Sequence, residues 1–249
     1  MSETALAWRQ FRLERRMFWR NPSAAFFNFV LPLIFLVLFG AIFHGDQKNL
    51  NIVIPGIAGM NVMATTFSAL AMNLTFLRES GVLKRVRGTP LPAGAYLTGI
   101  FGNAVLNSTI QVGIVVIAGK LFFGLPWPQE WVALLVFLLA GVTCLASLGV
   151  AFSHVIPNFD AAPAYVNFVY LPSIFIGGVF FDPAHVHSKI LSDIAEVIPL
   201  SHLVAGLRGA MVSGQGAGHH LGDLAVILAW TVLGVTFAVR GFSWEQRSG

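Results

Sequence analysis

Charge is what this sequence has least of. Asp, Glu, Lys and Arg make up 10% of its 249 residues, against about 25% in a soluble globular domain. A soluble fold of this length would lack the polar surface to cover its core. Intrinsic disorder is excluded from the other side, since 56% of the chain is hydrophobic and 22 residues are Phe, whereas disordered chains are poor in such residues. Cysteine is nearly absent too. The single Cys144 rules out a disulfide framework and a cysteine-cluster metal site, and within an apolar run it reads as a small core residue. A mean hydropathy of +0.75 leaves an integral membrane protein, all-α and polytopic. The net charge of +4 would point to nucleic acid in a soluble protein; here the placement of the charges matters more, and no nucleic-acid partner is expected.

Crossing a bilayer takes about 20 largely apolar residues. Stretches free of charge run over residues 21–45, 49–77, 88–119, 131–159 and 161–181, which predicts five spans. A sixth, 224–239, has only 16 uncharged residues, and Arg240 can extend it by laying its stem along the helix. Residues 197–207 are too few to cross and read as a re-entrant or interfacial segment. With six spans and the N-terminus inside, the inner side carries Arg9, Arg12, Arg15, Arg16, Arg20, Arg78, Lys84, Arg85, Arg87, Arg240 and Arg247. The outer side carries Lys48, Lys120, Lys189 and Arg208. That bias places both termini in the cytoplasm. The first 20 residues hold five Arg and no apolar core, so they are not read as a cleavable signal.

On a helix over residues 4–20, Trp8, Phe11, Phe18 and Trp19 share an arc, with Arg9, Arg16 and Arg20 beside it and Arg12 and Arg15 intruding. Aromatic rings among arginines suit an interfacial helix over residues 1–20 that contacts membrane lipids. The alternative is a basic flank with no defined face. Between the second and third spans, residues 78–92 predict a short helix: Val82, Leu83 and Val86 form an apolar side, and Lys84, Arg85 and Arg87 lie near its C-terminus, where cations suit the helix dipole. Gly88 fits a C-cap, and Pro90 and Pro92 stop the helix. A few apolar anchors ringed by charge suit docking into a groove on a soluble partner, although a basic loop that only fixes topology has the same composition.

Within the spans, Asn103, Asn107 and Gln111 recur every four residues with Gly99 continuing the stripe, and Asn61, Thr65, Ser68 and Thr75 follow a similar spacing on the second span. Asn167 and Tyr170 add polar groups to the fifth. Intramembrane polar groups need partners. They serve either as hydrogen bonds between packed helices, roughly 0.6 kcal/mol each, or as the wall of a substrate path, and both readings stand. His185, His187, His219 and His220 fall between the fifth and sixth spans, where nothing supplies a third ligand at metal-binding spacing, so no metal site is expected. No nucleophile–base set appears either.

The 78–92 segment carries a more specific signal. Arg78-Glu79-Ser80-Gly81, an apolar and basic turn, then Gly88-Thr89-Pro90-Leu91-Pro92 with Tyr96 beyond, resembles the cytoplasmic loop of ABC-2 type permeases, the membrane subunits of bacterial ABC exporters. Gly177-Gly178-Val179-Phe180-Phe181 and Ile198-Pro199-Leu200-Ser201-His202 with Arg208 extend the resemblance along most of the chain. Leu77 departs from it, since many members carry an acid there. The resemblance implies one transmembrane domain over residues 1–249, with a coupling loop at 78–92 and an external re-entrant segment at 182–223. It also implies residence in the bacterial cytoplasmic membrane, a homodimer or a heterodimer with a related permease, and two copies of a separate ABC ATPase. Arg78, Glu79, Gly81, Leu83, Lys84, Arg85 and Arg87 are the coupling residues it suggests, and the first and fifth spans lie near the dimer seam.

This chain supplies no motor of its own. The nearest approach to a phosphate-binding Gly-x-x-x-x-Gly-Lys-Ser/Thr loop, residues 113–120, has the wrong spacing and lies in a span. ATP and Mg2+ are therefore expected in the partner ATPase, with no cofactor on this chain. The cargo the resemblance implies is amphipathic: a drug, a lipid or a lipid-linked glycan. A secondary transporter or channel is the first alternative; the spans lack both the buried charges and the internal repeats common in such proteins. A membrane-embedded enzyme is the second.

Overall fold

The computed structural model describes residues 2–89, 91–181 and 188–241. Among them the chain is helical, without strands. α1 (Glu3–Trp19) starts at Ser2, whose hydroxyl caps the Ala5 N–H, and breaks before Pro22, the first residue of α2 (Pro22–Ile42). α3 (Gln47–Met63), a π-helical turn over Ala64–Ser68 and α4 (Ala69–Glu79) form one rod of 33 residues. α5 (Val82–Arg87), α6 (Ala93–Phe123), α7 (Trp131–Phe152) and α8 (Ala162–Ile176) follow. α9 (Lys189–Ala195), α10 (Pro199–Arg208) with a π-helical turn to Ser213, and α11 (Leu221–Gly241) complete the chain.

Several span boundaries move. The third span begins at Ala93 rather than residue 88, because the extended backbone of Pro92 opens the helix. It runs on past Lys120 to Gly124, whose φ of +68° ends it. The fourth stops at Phe152, seven residues short of 159. The sixth is longer than its uncharged core and covers 21 residues. The fifth differs most: α8 has 15 residues, about 22 Å of helix, less than the hydrocarbon core of about 30 Å. Its flanks make up the distance. Phe159 meets Phe76 edge to face at one end and Val179 lies against Gly56 at the other. Residues 56 and 76 are 20 apart on the α3–α4 rod, roughly 30 Å, so the 159–179 segment runs antiparallel to the rod across the same width.

α7 and α11 are parallel, since Phe137 meets His220 near the start of both and Ser147 meets Gly234 further along. The chain between them therefore returns to the end where α7 began. α9 and α10 do not cross in between. They meet at an 85° bend, and the Trp230 indole N–H donates to the Val197 carbonyl in the bend at 2.8 Å. α10 then climbs back, and the Gln129 N–H before α7 donates to the Ala210 carbonyl at 3.1 Å. This is a re-entrant hairpin. Leu200, Leu203, Val204 and Leu207 bury the apolar face of α10 completely, against Gly59 of α3 and Gly141 of α7. The hairpin thus fills the core at one end, and α1, α5 and the α7–α8 loop gather at the other.

Candidate functional site

At the second end, α4 stops where Ser80 and Gly81 turn the chain. Gly81 has φ +69°, a left-handed conformation that only glycine adopts without strain. The glycine that mattered is therefore Gly81; Gly88 caps α5 in an ordinary right-handed conformation. Just before the turn, Arg78 reaches across to the α7–α8 loop. Its Nη1 donates to the Ser153 carbonyl at 3.0 Å and its Nη2 to the Ile156 carbonyl at 2.7 Å. Glu79 accepts the Phe159 N–H at 2.5 Å. These two residues, expected among the coupling set, tie α4 to a loop instead of facing solvent alone.

α5 itself splits by face. Leu83 is buried in a cluster with Leu70, Leu74, Tyr96 and Ile100, and Val82 and Val86 are half-buried, while Lys84, Arg85 and Arg87 are exposed. The sequence places three cations on one six-residue helix, and packing of the apolar side leaves them pointing outward.

α1 packs along α6. A Cβ on Gly99 would fall 2.6 Å from the Gln10 side chain, so the missing side chain is what lets the helices approach. Arg15 then donates to Asn107 Oδ1 at 2.6 Å and more weakly to Asn103 Oδ1 at 3.5 Å. Gln111, further along, donates to the Asn28 carbonyl of α2 at 2.7 Å. The Asn103–Gln111 stripe is thus occupied by α1 and α2. Arg15, which spoiled the aromatic arc, belongs to the packed face. That face includes Gln10, Phe11 and Glu14, while Trp8 and Trp19 stay 58% and 57% exposed and Arg16 and Arg20 are exposed beside them. Glu14 accepts from Gln10 Nε2 at 2.8 Å, and burial pushes its pKa up, opposed by that bond. Sequence reasoning missed Gln10 and Glu14; their signal was the four-residue spacing of polar side chains opposite the Gly99 stripe.

The second polar stripe meets α6 at one point, where the Thr65 and Ser108 hydroxyls lie 3.0 Å apart. Thr65 and Thr75 also bond carbonyls of their own helix. Asn61 Nδ2, just before the π-helical turn, and Oγ of Ser68, its last residue, are buried without a hydrogen-bond partner among the described residues. Tyr170 lines an apolar space of about 670 Å³ between α2 and α8, and Asn167 is exposed on α8. A separate cavity of about 720 Å³ lies beneath α1, bounded also by α2, α4, α5 and α6. Asn103, Asn107 and Thr65 line it, whereas Tyr170 and Asn167 do not.

The hairpin end has its own polar cluster. His202 Nδ1 donates to Asp223 at 2.6 Å and its Nε2 to the Glu196 carbonyl at 2.9 Å. The bond to Asp223 raises the His202 pKa, opposed by burial and helped by the Glu196 carbonyl. His220 Nδ1 donates to the other Asp223 oxygen at 2.7 Å. His185 and His187 lie outside the described residues.

The chain is similar in sequence to known transport permeases. The ABC-2 type transporter family matches residues 3–212. A relative from Porphyra purpurea named a transport permease, ycf38, is 29% identical over 210 residues, covering 79% of this chain and 71% of its own length. The inner membrane transport permease YadH of Escherichia coli strain K12 is 22% identical over 189 residues, covering 72% of this chain and 73% of its own. With six membrane-crossing segments, an amphipathic helix closing the second-to-third connection and a match over most of its length, the chain belongs to the ABC-2 type transporter family and is a multi-pass transport permease.

Proposed function

We propose that this chain is the membrane subunit of an ATP-driven exporter, docked through α5 and the exposed part of α1 to a separate ABC ATPase on the cytoplasmic side. The observation that carries the reading is the split face of α5. Leu83 is buried in the body of the permease while the Lys84, Arg85 and Arg87 side chains are exposed to solvent. Force applied to that face reaches the spans by short routes, through Leu83 to α4 and α6 and through Arg78 to the α7–α8 loop. The assembly pairs two permease chains, identical or related, with two ATPases that bring ATP and Mg2+. The seam between permeases follows α2 and α8, where Phe35 and Phe39 of α2, Phe175 of α8 and Phe180 just beyond it line an apolar space. The exported substrate is amphipathic.

Co-expression with an ABC ATPase encoded beside the permease, then capture through a tag on the permease, tests the reading. Recovery of the ATPase together with vanadate-sensitive transport in vesicles is the expected result. Transport that survives ATP depletion and follows an ion gradient would replace it with the secondary-transporter reading.

A further inference from the structure

The cavity beneath α1 contains an acid and no base. Among the described residues lining its roughly 720 Å³, Glu14 is the only carboxylate, and none is Lys, Arg or His. Nearby cations are engaged or turned away: Arg15 holds the Asn103 and Asn107 oxygens, Arg78 holds two carbonyls across α4, and Lys84, Arg85 and Arg87 lie on the exposed side of α5. Gln10 donates one hydrogen bond to Glu14, and Tyr96 of α6 is the other titratable group on the wall. Deeper in, the Asn28 amide nitrogen is buried without an acceptor. The remaining wall is apolar and aromatic, including Phe18, Leu70, Phe76, Val82 and Val86.

A carboxylate partly withdrawn from water and lacking a counter-ion is unfavourable until a cation joins it or a proton neutralises it. The Phe18 ring already has the Arg15 guanidinium 5.4 Å from its centroid; Phe76 and Tyr96 are the remaining aromatic wall residues, and an aromatic ring favours a cation over an anion at its face. We infer that this cavity binds an organic cation carried on an apolar body, with the Glu14 carboxylate as counter-ion and the Asn28 amide as donor to an acceptor on the same ligand. The assignment rests on the transporter reading and gives its substrate a class. Val82 and Val86 belong to both the cavity wall and the inner face of α5, so a bound ligand presses on the helix proposed to meet the motor. The ammonium can belong to an aminophospholipid of the inner leaflet or to a small lipophilic amine.

The test uses the full chain in a neutral detergent, with tetraphenylphosphonium as probe and tetraphenylborate as its counterpart of like shape and opposite charge. Saturable binding of the cation, about tenfold or more tighter than the anion, is expected. Glu14→Gln should weaken the cation by about tenfold, Glu14→Asp should keep the charge preference, and Asp160→Asn, outside the cavity, should change nothing. Because burial raises the Glu14 pKa, lowering the pH through that raised range protonates the carboxylate. It should weaken binding in the parent protein and leave the Glu14→Gln profile flat. Equal affinity for both ions, or an unaltered affinity in a folded Glu14→Gln protein, overturns the assignment. Displacement of the probe by short-chain phosphatidylethanolamine assigns the site to a lipid amine; retention of the probe assigns it to small amines. No ATPase is needed for these measurements. Loss of the cation site with ATPase capture intact rejects only this assignment, and cation binding with no ATPase partner rejects only the exporter reading.

Discussion

The two ends of the bundle differ in what their charged side chains hold and in the sign of those they expose. At the hairpin end one set is closed inward: Asp223 bridges His202 and His220, and Arg208 donates to the Gly178 carbonyl at 2.9 Å, while Lys189, Asp193 and Glu196 around it are exposed and of mixed sign. At the α1–α5 end only part of the charge is committed. Arg78, Glu79 and Arg15 fasten helices and loop together, while Arg16, Arg20, Lys84, Arg85 and Arg87 remain exposed. One end is stapled shut and the other is a firm base presenting a cationic surface. The first arrangement suits a plug that must stay seated, and the second suits a surface that meets another protein.

The largest effect belongs to Arg78. Each of its two bonds is charge-assisted and contributes about 1.5–3 kcal/mol, so Arg78→Ala should cost about 3 kcal/mol or more and free the α7–α8 loop. Thermal unfolding in detergent, together with proteolysis in residues 153–161, reads both consequences. At the opposite end, Asp223→Asn leaves one acceptor for two histidine donors and turns an amide N–H toward the other. A loss of about 2 kcal/mol is expected, with the hairpin more open to protease. If the Arg78 variant unfolds no earlier than the parent, the base is not clamped as described; if Asp223→Asn is neutral, the hairpin end is not closed by charge.

The crossings were legible in the sequence because a bilayer demands long uncharged runs, and the apolar side of α5 was legible because Val82, Leu83 and Val86 keep helical spacing. What stayed hidden depended on partners distant in the chain. Arg78 and Glu79 read as docking residues because nothing local marks the Ser153, Ile156 and Phe159 backbone groups they hold. The Asn103–Gln111 stripe was visible as polar, yet its partners Arg15 and Asn28 come from other helices. Glu14 drew no notice in the sequence because the cavity it lines is built by residues of α2, α4, α5 and α6 as well as α1. The π-helical turn at Ala64–Ser68 had no reliable signature beyond adjacent threonines, whose hydroxyls bond carbonyls of their own helix and loosen its regular pattern.

The close approach of α1 to α6 offers a milder test of the same contrast. Gly99→Val puts two methyl groups where the Gln10 side chain already lies, an overpacking that costs about 1–3 kcal/mol or is relieved by α1 lifting away. Paired cysteines at Phe11 and Gly102, which are in contact, should be joined by a short bifunctional thiol reagent in the parent background and poorly once Gly99 is Val. Undiminished crosslinking would mean that the glycine does not set this contact.

The smallest effect on stability should accompany a large effect on assembly. Lys84 and Arg85 are exposed, and among the described residues no acidic side chain pairs with either; Arg85 makes a long 3.5 Å bond to the Ser80 carbonyl. The double reversal Lys84→Glu with Arg85→Glu should therefore shift unfolding by about 0.5 kcal/mol or less, with Leu83 keeping α5 seated. Capture of the ATPase should nevertheless collapse, because reversing a charged surface turns attraction into repulsion at the interface. A Leu83→Ala variant should do the converse: it loses about 2–5 kcal/mol of packing while leaving the cationic face intact. If the charge reversal destabilises the chain as much as Leu83→Ala does, the exposed face belongs to the fold rather than to a partner. If it is silent in both assays, the motor grips elsewhere, with the exposed arginines of α1 the next surface to reverse.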